Sequence, residues 1–123
     1  MIGLEFKEVS VIEEAYAKIN LFLEVFGKRE DGYHGIRSVM QTVSLHDTVN
    51  VRLSESGISM TCSTPALDCG ASNLCIKAAK AFSSACGGVG AEITLTKVIP
   101  MQAGLGGGSA DAAAVLRAMN FLC

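Results

Sequence analysis

Between residues 100 and 113 the chain reads Pro100-Met101-Gln102-Ala103-Gly104-Leu105-Gly106-Gly107-Gly108-Ser109-Ala110-Asp111-Ala112-Ala113. Gly104, Gly106, Gly107 and Gly108 strip side chains from a segment that leads straight into a helical pattern. Backbone N–H groups can then crowd around an anion, and the unpaired N–H groups and dipole of the helix start add to the attraction. Polyphosphate suits such a loop. A side chain at Gly107 is expected to stand where a phosphate would sit, and the small residues Ser109, Ala110, Ala112 and Ala113 allow a close approach. The loop is not a Walker motif, which ends Gly-Lys-Ser/Thr, because this one ends Gly-Ser-Ala-Asp. Nor is it a dinucleotide fingerprint, since Ser109 stands at the third glycine position. A glycine-rich linker or a close-packed strand–helix connection without a ligand has a similar composition, and the loop residues alone leave both open.

Several other polar residues have spacings that could serve chemistry. Lys18 and Asn20 lie two apart in an alternating run, which puts them on one face of a strand about 7 Å apart. A cation and an amide placed so could address adjacent groups of one substrate; a solvated lysine on an edge strand is the plainer alternative. Tyr33 and His34 follow the Asp31-Gly32 turn, where exposed rings can meet a ligand or simply plug a hairpin end. Lys97 has the inward parity of Ile93 and Leu95, an odd place for a cation unless the strand has already ended. Asp111 is expected in the first helical turn, where a carboxylate suits the dipole without catalytic duty.

The elements that must position these residues follow from hydrophobic periodicity. Residues 15–26 alternate, with Ala15, Ala17, Ile19, Leu21, Leu23 and Val25 forming one apolar face of a long strand. A second extended run covers residues 36–45. Val49, Val51 and Leu53 alternate next, Ser56-Gly57 turns, and Ile58, Met60 and Cys62 alternate back, the pattern of a hairpin. Ser72 then reads as the N-cap of a helix carrying Leu74, Ala78, Ala81, Phe82 and Ala85, stopped by Gly87-Gly88. Residues 92–97 form a strand, and the helix after the glycine loop runs through Ala112, Val115, Leu116 and Met119. That helix shows no stop signal, so the chain is expected to be the front part of a longer protein.

Composition narrows the function classes. With 123 residues, half of them hydrophobic and only 18% charged, the chain suits one folded domain and not a disordered segment. Ten basic against 12 acidic side chains, with no basic run longer than Lys28-Arg29, argue against a nucleic-acid partner. No apolar stretch is long enough for a membrane span, and the acidic amino terminus resembles neither a signal nor a transit peptide. Five cysteines without a C-x-x-C pair, and two histidines, make no zinc pattern, so the cysteines are expected to be reduced small hydrophobes of a cytoplasmic protein.

Taken together, these residues resemble a family. The loop Pro100 to Ala113 is similar to the phosphate-binding motif of the GHMP kinases. Three further stretches, Ala17-Lys18-Ile19-Asn20-Leu21-Phe22-Leu23, Gly27-Lys28-Arg29-Glu30-Asp31-Gly32-Tyr33-His34 and Met40-Gln41-Thr42-Val43-Ser44-Leu45, resemble the branch that phosphorylates a cytidine-diphosphate-linked methylerythritol. The resemblance covers nearly the whole chain from about Val11.

It implies an α+β fold of the ribosomal protein S5 domain 2-like type, with residues 1–123 as an amino-terminal ATP-binding domain incomplete at its C-terminal end. It also implies phosphoryl transfer from ATP, with Mg²⁺, to the 2-hydroxyl of that polyol, in the non-mevalonate route to isoprenoid precursors. The implied ATP site comprises Lys97, Pro100, Met101, Gln102, Ala103, Gly104, Leu105, Gly106, Gly107, Gly108, Ser109 and Ala110. Lys18 would lie beside the phosphorylated hydroxyl as the catalytic cation, Asn20 next to the substrate, and Tyr33 and His34 at the cytosine, by stacking and hydrogen bonding. No residue here is expected to ligate metal directly.

The chain departs from the family pattern in having Ser109-Ala110 where Ser-Ser is common, and Gly35 where Glu often follows the Tyr-His pair. The family's catalytic aspartate lies beyond the glycine loop, and Asp111 is not its match, so this piece alone is not expected to turn over fully. The alternatives are another GHMP small-molecule kinase, of homoserine or mevalonate type, and a non-catalytic S5-like binding module.

Overall fold

The computed structural model of the chain describes residues 9–123. Residues 1–8, on which much of the reading of the amino terminus rests, lie outside the described residues. Among the described residues, four strands and two helices follow in the order β1 (Ser10–Lys28), β2 (His34–Ser54), β3 (Ile58–Cys62), α1 (Leu74–Ala85), β4 (Gly90–Thr96) and α2 (Gly107–Leu122). The strands form one mixed sheet in the order β1-β2-β4-β3, antiparallel except for the β3–β4 pair. Helix α2 packs on β1, β2 and α1, while α1 also meets β3. The core between them contains Ala15, Val49, Val51, Ile93, Leu95, Val115 and Met119, each at most 2% exposed. This is the expected α+β architecture, and Arg117 on α2 pins it to β1 through Glu13 at 2.7 Å.

Strand pairing differs from the expected hairpin. Val49, Val51 and Leu53 do face inward, but their neighbour is β4, with Val51 opposite Ile93. Strand β3 runs parallel to β4 on its far side, with Met60 also opposite Ile93. Alternation marks a strand without naming its partner, and α1 is the crossover that carries the chain from β3 back to the parallel neighbour.

The long apolar face of β1 is also interrupted. Ala15 and Ala17 are buried, whereas Leu21, Leu23 and Val25 are exposed. The register slips between Asn20 and Phe22, where β1 carries one residue more than β2. An extra residue throws the alternation out of step, but Ile19, ahead of that slip, is already 37% exposed, so the buried part of the face ends at Ala17. Strand β4 pairs with β2 only over residues 48–54, opposite residues 10–14 of β1, and past these rows β1 and β2 extend as a two-stranded ribbon; residues 36–45 and 49–53 join into the single strand β2.

Helix α1 is capped by Asn73, not Ser72: the Asn73 side chain accepts from the Cys75 N–H at 2.8 Å, while Ser72 donates to Asp68. Its buried residues are Cys75, Ile76 and Ala79, with Phe82 packed against the core; Leu74, Ala81 and Ala85 face outward. Of the cysteines, Cys75 is buried and Cys62 and Cys69 half-buried against the core, whereas Cys86 and Cys123 are exposed, and all five are free thiols. The small-hydrophobe reading therefore fits three of them.

Candidate functional site: a glycine loop over a buried ion bridge

Strand β4 ends at Thr96, and the next residue, Lys97, turns its side chain inward until only 7% is exposed. Its Nζ lies 2.7 Å from Asp47 Oδ2 and 3.1 Å from Asp111 Oδ2. The other Asp47 oxygen accepts from the N–H groups of Val98 at 2.6 Å and Ile99 at 2.8 Å. One ammonium thus joins β2, the segment leaving β4 and helix α2, directly beneath the glycine loop.

The two carboxyls have opposite protonation tendencies. Burial pushes Asp47 upward, but its interaction with the neighbouring Asp111 and its hydrogen bonds from Lys97, Ile99 and Val98 outweigh it and hold the carboxyl below its usual range. Burial, reinforced by the neighbouring Asp47 carboxylate, pushes Asp111 up to about 7 despite Lys97. Burial also disfavours the Lys97 ammonium, yet its bonds to Asp47 and Asp111 prevail and raise its pKa. Asp111 Oδ1 is buried without a hydrogen-bond partner among the described residues.

Asp111 therefore does not sit as expected. Helix α2 begins at Gly107, which makes Asp111 its fifth residue, 2% exposed and facing Lys97 instead of lying free in the first turn.

Asp47 is the residue that the sequence reading missed. A signal was present, because it shares the parity of Val49, Val51 and Leu53 and is a carboxylate on an inward-facing row.

The loop itself bends through left-handed backbone at Gln102 (φ 58°), Gly104 (φ 74°) and Gly106 (φ 71°). Left-handed residues recurring in this way make concavities of N–H groups suited to anions. Helix α2 opens without a side-chain cap, so its first N–H groups are available at the same place. A cleft of about 550 Å³ lies here, walled by residues 100–109, Lys97 and Asp111 on one side and by the segment from Ala66 to Cys75 on the other. Ala110 packs towards the core and is not part of that wall.

Gly106 and Gly107 are required by what stands behind them. A Cβ at Gly106 would meet Lys18 Cε at 3.0 Å, and one at Gly107 would meet Lys97 Nζ at 2.9 Å and Ile99 Cγ2 at 3.1 Å. The Cβ of residue 107 would thus point at the ion bridge.

Lys18 lies against the loop's other side. Its N–H donates to the Leu105 carbonyl at 2.9 Å and its Nζ to the Gly104 carbonyl at 3.3 Å. Lys18, Ile19 and Asn20 pair without interruption with Thr42, Gln41 and Met40, so Lys18 and Asn20 share a face as expected. Asn20 Oδ1 accepts from Ser38 Oγ at 2.8 Å. Tyr33 and His34 stand at the ribbon tip, with Tyr33 74% exposed, and neither lines the cleft. The structure thus gathers residues 97–109 and Lys18 around one loop and leaves Tyr33 and His34 apart on the ribbon.

Residues 73–123 match the model of the GHMP kinases N terminal domain. More particularly, the chain is similar to 4-diphosphocytidyl-2-C-methyl-D-erythritol kinases. It is 51% identical to the one of Desulfitobacterium hafniense (strain Y51) over 109 residues, which are 88% of this chain and 37% of that protein. It is 47% identical to the one of Acetivibrio thermocellus over 116 residues, 92% of this chain and 40% of that protein. Among solved structures, a 4-(cytidine 5'-diphospho)-2C-methyl-D-erythritol kinase superposes with a TM-score of 0.79 at 42% identity, over 91% of this chain and 40% of its own. A homoserine kinase from Cytophaga hutchinsonii, at 24% identity and a TM-score of 0.67, shares the fold. The chain spans about two fifths of the length of the curated relatives it matches.

Proposed function

We propose that residues 1–123 act as the ATP-binding amino-terminal part of a small-molecule kinase that phosphorylates the 2-hydroxyl of 4-diphosphocytidyl-2-C-methyl-D-erythritol. The observation that carries this reading is the glycine loop, left-handed at residues 102, 104 and 106 and continuous with an uncapped helix start. Phosphoryl transfer calls for positioning and charge stabilisation more than for covalent chemistry by the protein. The loop N–H groups would hold the ATP phosphates.

Lys18 is the cation with charge to offer. It meets a carbonyl and has no carboxylate partner among the described residues, whereas Lys97 is held by Asp47 and Asp111. Lys18 would exchange the Gly104 carbonyl for the transferring phosphate or the acceptor oxygen. Asn20, on the same face, would orient the polyol. Tyr33 would stack on the cytosine and His34 would bond its edge, which requires the ribbon tip and the loop to address opposite ends of one extended substrate.

No group of three His, Cys, Asp or Glu side chains that could hold a metal is found among the described residues. Mg²⁺ would enter with the nucleotide, neutralising charge on its phosphates. Asp47 and Asp111 both face Lys97, so neither is offered as the general base. No helix among the described residues is long and apolar enough to cross a membrane, and five free thiols suit a reducing, cytoplasmic setting.

The test is calorimetric titration of this chain with Mg-ATP and with CDP, followed by a phosphoryl-transfer assay on the cytidine polyol in a chain continued to the relatives' length. Saturable Mg-ATP binding that is lost in Gly106→Val supports the loop as its site. Transfer to homoserine or mevalonate in preference to the cytidine polyol would replace the substrate, and binding of RNA at moderate salt without nucleotide would replace the class.

A further inference from the structure

Three ionisable groups meet behind the loop: one ammonium and two carboxyls, at 2.7 and 3.1 Å. With both carboxyls ionised the group carries a net charge of −1 in a place shielded from water; with one proton retained it is neutral. Two geometric facts say which carboxyl keeps the proton. Asp47 spends both oxygens on charged or N–H donors, taking Lys97 on one and Val98 and Ile99 on the other. Asp111 has only Lys97, and its second oxygen is buried with no partner. An unpaired buried oxygen is far less costly as part of a neutral carboxylic acid than of an anion.

We propose that Asp111 is a proton-operated charge behind the glycine loop, neutral when the loop holds polyphosphate best and ionised when that hold weakens. The proposal rests on the nucleotide reading above for its ligand, and on the geometry alone for the titration. Asp111 lines the same cleft as the loop, and its helix supplies the loop's last N–H groups. An extra negative charge there opposes an anion that those N–H groups attract. The groups facing Asp111 are Asp47 from β2, Lys97 after β4 and the Cys75 thiol from α1. Burial pushes that thiol up to about 12, so it stays neutral throughout. Asp47 stays ionised and Lys97 charged, which leaves Asp111 as the group that changes near neutrality, where its pKa of about 7 places it.

The experiment measures Mg-ADP affinity of this chain and of Asp111→Asn between pH 6 and 8.5, alongside a carboxyl ¹³C NMR titration of the unaltered chain. Affinity of the unaltered chain is expected to fall about three- to tenfold over that range, the effect of one added charge near a polyanion in a partly screened site. The Asn variant, unable to ionise, is expected to show a flat profile, which separates Asp111 from any titration of the nucleotide itself. The Asp111 resonance is expected to titrate near neutrality, with the amides of residues 104–108 following it. Parallel pH profiles in both proteins would overturn the proposal, as would an Asp111 carboxylate already ionised at pH 6. If Asp111 titrates with the loop amides while no Mg-ADP binds at any pH, the nucleotide reading fails and the proton-operated charge stands.

Discussion

Replacing Asp47 with alanine asks whether the ion bridge holds the glycine loop or only occupies the space beneath it. The carboxylate is fully buried and accepts three hydrogen bonds, from Lys97 Nζ at 2.7 Å and from the N–H groups of Val98 and Ile99 at 2.6 and 2.8 Å. Breaking a buried ion pair by removing one partner costs about 3–5 kcal/mol. Each orphaned N–H adds a penalty of about 1–3 kcal/mol if water cannot reach it. These terms overlap, because the same two oxygens serve all three donors. Asp111 also offsets part of the loss: without Asp47 beside it, it can ionise and become the counter-ion of Lys97. A net loss of about 3–5 kcal/mol is therefore expected, a large share of the 5–15 kcal/mol typical of a whole domain.

Urea unfolding at pH 7 reads this directly. With a slope of about 1–3 kcal/mol per molar, the midpoint should fall by roughly 2 M. Asp47→Asn should lose less, since its amide oxygen can still accept from one of the two N–H groups. The double variant Asp47→Ala/Lys97→Met should lose less than the sum of the two single changes, because the orphaned charge is removed together with its partner. A midpoint for Asp47→Ala within about 0.3 M of the parent's would refute the reasoning, for it would mean that the bridge contributes little to holding the structure together.

Gly107→Val should destabilise the fold by about 1–3 kcal/mol, as its Cβ would stand 2.9 Å from Lys97 Nζ, and should lower nucleotide affinity by displacing the bridge; thermal unfolding and calorimetry check the two parts. Asp111→Asn should be stabilising, and more so at pH 8 than at pH 5. The folded pKa of about 7 lies above the unfolded value of about 3.9, so the parent is favoured fully below pH 4 and loses that advantage as pH rises through 7; equal gains at both pH values would contradict this. Lys18→Ala, in a chain continued to the relatives' length, should cost about 10²–10³ in kcat with little effect on ATP affinity, whereas equal loss of both would remove it from the acceptor. Tyr33→Ala should weaken a cytidine ligand by about 1–3 kcal/mol and leave stability unchanged, the residue being 74% exposed.

Local signals were legible in this sequence; long-range ones much less so. The inward row Ile93 and Leu95, the helix after the glycines and the face shared by Lys18 and Asn20 follow from period alone. The β3–β4 pairing does not, because Ile58, Met60 and Cys62 would alternate identically beside β2. The slip near Leu21 is equally silent, since a bulge is decided by the pairing and leaves the apolar alternation of β1 looking continuous. At the site, the glycine loop announced itself by composition. Asp47 did not, although 50 residues away in sequence it is the partner that explains how Lys97 can be buried at all.

The same contacts argue against one of the readings that the loop's composition left open, the flexible linker. Glycine permits many conformations, so a glycine-rich linker would be expected to have few restraints and no preferred shape. Here the shape is imposed from outside. The Lys18 N–H holds the Leu105 carbonyl at 2.9 Å, and a Cβ at Gly106 would press on the Lys18 stem at 3.0 Å. On the opposite side, Asp47 grips the N–H groups of Val98 and Ile99, and Lys97 closes the space behind Gly107. Gln102 takes up left-handed backbone without the freedom of glycine, a strain of about 1–2 kcal/mol that persists only where surrounding contacts over-determine the conformation. A loop held by these contacts, with one non-glycine residue in left-handed backbone, has a fixed shape and none of the freedom of a linker.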